Sequence, residues 1–429
     1  MSELSRRAFL GAASAGAASF GLSCAHNAQC AQGESFPPVR TITRGPAHHW
    51  FGYYDKLQFD PTDRFVLSNE VTFEHRTPRA DDAIRVGMVD TANNDAWIEL
   101  GTSRAWGWQQ GCMLQWIPRP DSHVLWNDRE GDRFVCRVMN TQTRKQRTIQ
   151  RPIYTVSPDG TFGLSVNFAR LQVFRPGYGY VGLPDPYGDQ MAPKDDGIFR
   201  VDLKSGDSRL ILPLSEMATI PHQGRPVDNV WHWFNHLLIS PGGKRFIALN
   251  RWRTWDPATG RLAKGYTTRM ITANVDGSDL FVLDPSGYTS HFIWRDPEHV
   301  CMWTKPEGRE SAFYLFRDRT REIEIVGEKA MTHNGHITYL PIANNEWILN
   351  DTYPDRGTRN QHVYLYHVPS EKRYELGRFH SPPQYTGEWR CDTHPRSSKS
   401  GTLVCIDSPH TDEGRQLHLI DIRNIVNSV

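Results

Sequence analysis

After an N-terminal stretch of small residues, the hydrophobic pattern of the chain is one short unit used repeatedly: an apolar run, a turn carrying Pro, Asp or Gly, then a second apolar run. The turns are Phe59-Asp60-Pro61-Thr62-Asp63, Trp116-Ile117-Pro118-Arg119-Pro120-Asp121, Ser157-Pro158-Asp159-Gly160, Ser240-Pro241-Gly242-Gly243, Trp294-Arg295-Asp296-Pro297, Leu340-Pro341-Ile342-Ala343-Asn344 and His394-Pro395-Arg396-Ser397. Further along each unit a strand ends in a polar turn, as at Val89-Asp90-Thr91, Met139-Asn140-Thr141 and Ala273-Asn274-Val275-Asp276-Gly277. Both marks count seven, which predicts an all-β fold: a seven-bladed β-propeller of four-stranded antiparallel blades. A helical solenoid is excluded because no unit sustains an i, i+3, i+4 apolar pattern while β-branched and aromatic runs recur. Insertions are expected between residues 170 and 196 and between 213 and 230. Residues 39–43 are expected to pair with the C-terminal segment 403–422, since a propeller ring needs closing.

The N-terminal stretch has a different purpose. Ser5-Arg6-Arg7-Ala8-Phe9-Leu10 and the small apolar run 11–22 read as a twin-arginine export signal, too short to span a bilayer. Residues 1–33 are therefore assigned to signal and linker and 34–429 to a single propeller domain, in a mature protein without a transmembrane segment, periplasmic or extracellular. Cys24 follows a poor lipobox. Removing the signal leaves Cys112, Cys136, Cys301, Cys391 and Cys405, without metal-finger spacing. With 49 Lys+Arg against 48 Asp+Glu, the chain lacks the positive surplus that nucleic-acid binding requires.

The chemical signal is a column of histidines. With the units aligned on the residue just before each turn, the equivalent positions near the start of each innermost strand are Lys56, Met113, Ile153, His236, His291, His336 and His394. Inner strands start around the axis, so these positions converge on one mouth of the channel. A single inner-strand histidine is usually a packing residue; four successive ones, with Asp392 on the same face as His394, suit a divalent metal.

At these residues the chain resembles the propeller polysaccharide lyases, over most of residues 40–425. His-Leu-Leu-Ile-Ser-Pro (236–241), His-Phe-Ile-Trp-Arg-Asp-Pro (291–297) and Asp-Thr-His-Pro-Arg (392–396) look like oligogalacturonate lyases and ulvan lyases. The first resemblance implies His236 as base and His291, His336 and His394 as ligands of a divalent ion (Mn, Zn or Ca), with no organic cofactor. The second implies Tyr154 and Arg170 as a catalytic pair, although Gln109-Gln110-Gly111 stands where ulvan lyases carry histidines.

The chemistry expected is β-elimination on a uronic acid, which needs the carboxylate neutralised, the C5 proton removed and the departing O4 protonated. Arg170 or the metal is assigned the first task, His236 or Tyr154 the second and Tyr154 the third. Lys56, Gln110, Arg251, Trp233 and Tyr178 are candidate contacts to an acidic oligo- or polysaccharide, with Trp108, Trp231, Trp389 and Tyr180 as further sugar faces and Arg253, Arg390 and Arg396 as further cations. The competing reading is a non-catalytic periplasmic propeller, resembling TolB-like repeats, that binds a glycan or protein partner. Either is expected to be a monomer or small oligomer.

Overall fold

The computed structural model describes residues 36–120 and 122–428; the export signal read at residues 5–22 lies outside the described residues. Seven four-stranded antiparallel sheets form the blades of a propeller. In blades 1 to 6 the strands follow chain order from the axis outward, beginning at His48–Trp50, Gln115–Trp116, Thr155–Val156, Trp231–Ile239, Phe292–Trp294 and Thr338–Tyr339. Blade 7 begins at Arg396–Ser397 and continues through Leu403–Ser408 and Gln416–Asp421. Its outermost strand is Val39–Thr41, paired Val39 to Ile420, Arg40 to Leu419 and Thr41 to His418. The ring is closed as the sequence predicts, by the two ends of the domain sharing one sheet.

Burial explains why the repeats read as apolar runs. Blades stack face against face, so middle strands such as Phe65–Val71 and Arg245–Arg253 are buried along nearly their whole length. The outer strand Ile323–Ile325 is mostly exposed. At the seam, Ile42 is 2% exposed and belongs to one cluster with Leu417, Leu419 and Cys405 of blade 7 and Trp50, Val66 and Leu67 of blade 1. The Thr43 hydroxyl donates to Gln416 Oε1 at 2.7 Å, and Gln416 in turn meets His49 Nδ1 at 3.0 Å.

The insertion after Phe162–Ser165 corrects one expectation. It opens with the helix Phe168–Phe174, capped by Asn167, whose side chain accepts from the Arg170 amide. Arg170 is implied by the resemblance to ulvan lyases as the catalytic partner of Tyr154. It lies on this helix, and its five N–H groups donate to His232 O, Asp185 Oδ2, Tyr187 O, Gln190 O and Met191 O. Its side chain is 1% exposed. No donor remains for a substrate carboxylate; Arg170 clamps the loop 185–191 onto blade 4. A second unread feature is the hairpin Trp255–Asp256 with Arg261–Leu262, a two-stranded sheet of its own inserted between the second and third strands of blade 4. The five described cysteines are all buried and unpaired.

Two measurements test this architecture. Ile42→Ala should cost about 2–5 kcal/mol in urea unfolding, since it opens a cavity at the closing seam. Arg170→Ala should cost about 3–5 kcal/mol, because it strands Asp185 and four carbonyls in a dry interior; a surface arginine would cost almost nothing.

Candidate functional site

Backbone distortion brings the histidine column to the axis. His236 sits where the pairing of Trp231–Ile239 with Arg245–Arg253 slips between Asn235 and Leu238, and its φ is +52°. A bulge re-aims a side chain that regular pleating would direct elsewhere, and left-handed backbone at a non-glycine residue marks a conformation imposed by its surroundings. His394 and Met113 share this feature, at φ +39° and +57°. Opposite them, Gly52 adopts φ +117°, where a Cβ would come within 2.8 Å of the Gln110 carbonyl carbon. Only glycine lets Phe51-Gly52-Tyr53 pass this close to Gln110. The Asp407 carboxylate accepts from the Phe51 and Gly52 amides. Arg396 holds Asp407 at 2.7 Å and donates to the His394 carbonyl, so one buried ion pair fixes both Tyr53 and His394.

His336, Asp392 and His394 present ligand atoms within 4.8 Å of one another, all buried. Nε2 of His336 and Nε2 of His394 are buried without a hydrogen bond, and they lie 4.0 and 3.9 Å from the same Asp392 Oδ2. Buried imidazole nitrogens without partners are uncommon, and two aimed at one carboxylate oxygen fit a divalent ion with nitrogen and oxygen ligands. Behind His336 stands the support a ligand requires: Asp351 meets its Nδ1 at 2.9 Å and accepts from its amide at 2.6 Å, while Thr393 donates to the same carboxylate at 2.5 Å. His291 flanks this group, its ring 4.2 Å from that of His336, with Nδ1 on Asn334 Oδ1 at 2.9 Å. Burial, reinforced by His336, holds His291 and His394 well below the usual imidazole range, so both are neutral and free to ligate.

A network of proton-exchanging groups adjoins the cluster. Tyr154 Oη accepts from the His236 amide at 3.1 Å, and the Gln110 amide meets Tyr154 Oη at 2.7 Å and His236 Nδ1 at 3.2 Å. The Tyr53 ring lies parallel to His236, 11° between planes and 4.7 Å between centroids. The Tyr53 hydroxyl also meets His236 Nε2 at 3.3 Å. Burial, then Arg251, His291 and Arg175, keep His236 well below the usual range. Tyr154 is driven the other way, well above the ordinary phenol value, by burial and Asp55. Tyr178 is the exception among the buried tyrosines of the site. Against its burial, Arg390 (2.7 Å from Oη) and Arg175 (4.8 Å from the ring) hold its phenol below the ordinary value. Its ring stands edge-on to His236 at 5.4 Å, and Arg390 also donates to Asp392 at 2.7 Å.

Of the residues read from sequence, His236, His291, His336, His394, Asp392, Tyr154, Gln110 and Tyr178 are gathered here. Lys56 is buried, paired with Asp55 at 2.7 Å, its Nζ 4.9 Å from the Tyr154 ring. Arg251 is buried on Thr268 and Asn235. Trp233, Trp108 and Tyr180 are 1% exposed and offer no sugar face: Trp233 stacks on Phe174, Trp108 packs with Trp50 and Trp106, and Tyr180 stacks on Phe168. Arg396 is the structural cation described above. Sequence reading missed Asp351, Arg175, Tyr53 and Tyr353. Asp351 reaches His336 across fifteen residues, a contact that only strand pairing creates. Tyr353, 36% exposed, forms a lip over His291 and His336.

No protein-family model and no curated protein sequence matches the chain. The fold is that of oligogalacturonate lyases. A crystal structure of one from Vibrio parahaemolyticus matches at TM-score 0.61 and 12% identity, covering 90% of this chain and 93% of that one. An oligogalacturonate lyase in complex with manganese matches at TM-score 0.62 and 14% identity, with coverages of 90% and 93%. A TolB structure from Acinetobacter baumannii matches more loosely, at TM-score 0.38 and 13% identity over 70% of this chain and 60% of that one. At these identities the likeness is one of fold.

Titration calorimetry with Mn²⁺ tests the cluster. The wild-type chain should bind one ion, His394→Ala should abolish binding, and Asp351→Asn should weaken it about 10- to 100-fold by releasing the His336 ring.

Proposed function

We propose that the protein is an exported lyase that cleaves a uronic-acid-containing glycan by β-elimination, with a divalent metal held by His336, Asp392 and His394. The observation that carries this reading is the juxtaposition of two buried, unpartnered imidazole nitrogens around Asp392 with a phenol set between two guanidiniums. The lyase-like fold supports it, and the twin-arginine sequence at residues 5–10 supports export to the periplasm or beyond.

When bound, the metal supplies a Lewis acid that neutralises the sugar carboxylate and so acidifies C5. His336 is oriented for this by Asp351, and Arg390 holds Asp392. His236, kept neutral by burial and by neighbouring cations, takes the C5 proton on Nε2; the C5–H electrons form the C4–C5 double bond as the C4–O4 bond breaks. Tyr178 donates its phenolic proton to the departing O4, its phenolate being stabilised by Arg390 and Arg175. Transfer of the proton from the His236 imidazolium to the Tyr178 phenolate, directly or through water, restores the starting state. The burial that disfavours the imidazolium drives this transfer, while the stabilisation of the phenolate by Arg390 and Arg175 opposes it. Tyr154 and Gln110 orient His236, and Tyr154 stays a neutral phenol.

The test is the rise in absorbance of the unsaturated product across a panel of acidic polysaccharides. On a cleaved substrate, Tyr178→Phe should lower kcat about 10²- to 10⁴-fold, with Mn²⁺ binding retained. The sign of each pH limb follows from the shifts. Activity should hold down to well below pH 6.5, because His236 protonates only there, and should fall on the alkaline side below pH 10 as Tyr178 loses its proton. Failure to cleave any member of the panel while still binding one would leave a glycan-binding propeller.

A further inference from the structure

A cleft of about 650 Å³ lies where blades 2 and 3 meet the insertion after Phe162–Ser165, and none of the groups gathered around His236 and Asp392 lines it. Much of its wall is apolar, built by Phe134, Pro152, Phe168, Leu183 and Pro184. Phe134 and Phe168 are set in place by packing on Tyr180, with ring centroids 5.3 and 4.2 Å away.

Two opposite charges share this cleft without meeting. Arg151, just beyond the outer strand Gln146–Ile149 of blade 2, lies over the Phe199 ring at 3.6 Å and donates Nε to Ser208 Oγ at 3.1 Å. Its two Nη groups have no hydrogen-bond partner among the described residues, and it makes no ion pair there. Asp196 is 2% exposed. Its carboxylate accepts from the Gly197 amide at 2.8 Å and from Asn167 Nδ2 at 2.9 Å, and among the described residues no cation pairs with it. Asp195 beside it is exposed and also without an ion pair among them. The Phe199 stack and the Ser208 hydroxyl thus hold the guanidinium away from the acids. Burial loosens the hold of Arg151 on its proton, which Asp196 and Tyr187 only partly restore, and burial tightens that of Asp196. A direct pair would move both the other way.

These charges select the occupant. A plain carboxylate would suit Arg151 and be repelled by the two acids, whereas an amine alone would suit the acids and meet the guanidinium. A zwitterion satisfies both poles: the planar fork of Arg151 matches a carboxylate, and an ammonium offers three donors to the aspartates. The apolar wall then calls for an apolar side chain. We propose that this cleft binds a free α-amino acid with a large apolar side chain, its carboxylate on Arg151, its ammonium on Asp195 and Asp196, and its side chain against Phe134, Leu183 and Pro184. The cleft would keep this ligand whether or not the axial site cleaves a glycan.

Calorimetry on the full chain with four probes tests the assignment: L-phenylalanine, 3-phenylpropionate, which lacks the ammonium, 2-phenylethylamine, which lacks the carboxylate, and glycine, which lacks the side chain. L-phenylalanine should bind at one site, and each of the others at least about tenfold more weakly. Arg151→Gln should weaken L-phenylalanine at least about tenfold, with a thermal midpoint within about 2 °C of the wild type because no ion pair is broken. The double variant Asp195→Asn/Asp196→Asn should narrow the gap between L-phenylalanine and 3-phenylpropionate, a change of preference that loss of structure alone does not produce. Absence of L-phenylalanine binding by the wild type at millimolar concentration, equal binding of L-phenylalanine and 3-phenylpropionate, or affinity undiminished in Arg151→Gln would overturn the assignment.

Discussion

Closure of the ring by Val39–Thr41 against Gln416–Asp421 is the constraint on which the rest depends. Each blade buries its faces against two neighbours, and an open ring would leave one apolar face and one strand edge unpaired. With the ring closed, the inner strands are compelled toward a common axis, and residues hundreds of positions apart meet. The Arg396–Asp407 pair extends the same seam inward, tying the amides of Phe51 and Gly52 to the carbonyl of His394. The joint that closes the fold therefore also positions Tyr53 and one candidate metal ligand.

Desolvation then sets the chemistry at the axis. The same burial that pushes Tyr53 and Tyr154 toward permanent protonation keeps His236, His291 and His394 neutral. Neutral imidazole can ligate or accept a proton, whereas a buried phenol can only hold its proton. Tyr178 escapes this rule because Arg390 and Arg175 approach it directly, the second from an insertion outside the blade repeat. The repeat supplies a column of similar positions; the insertion makes one neighbour of that column different from the others.

The fold and the histidine column were legible in the sequence because both are periodic. Blade turns recur for local reasons of backbone geometry, and a column follows once the units are in phase. The insertion was not legible in this way. Arg170 stood beside Tyr154 as a catalytic partner by resemblance alone, but it lies on a helix and five acceptors surround its guanidinium. Trp233 and Trp108 looked like sugar platforms because tryptophan suits that task; packing against Phe174 and Trp106 made them core.

By itself, then, the sequence determined the number of blades, the joining of the two ends and the identity of the axial histidines, since strand period and turn chemistry act over a few residues. Tertiary structure alone decided which of these groups share a carboxylate, which phenol stands between two guanidiniums and which arginines remain unpaired. Those outcomes are set by distances between segments far apart in the chain and by the exclusion of water around them, neither of which any local pattern encodes.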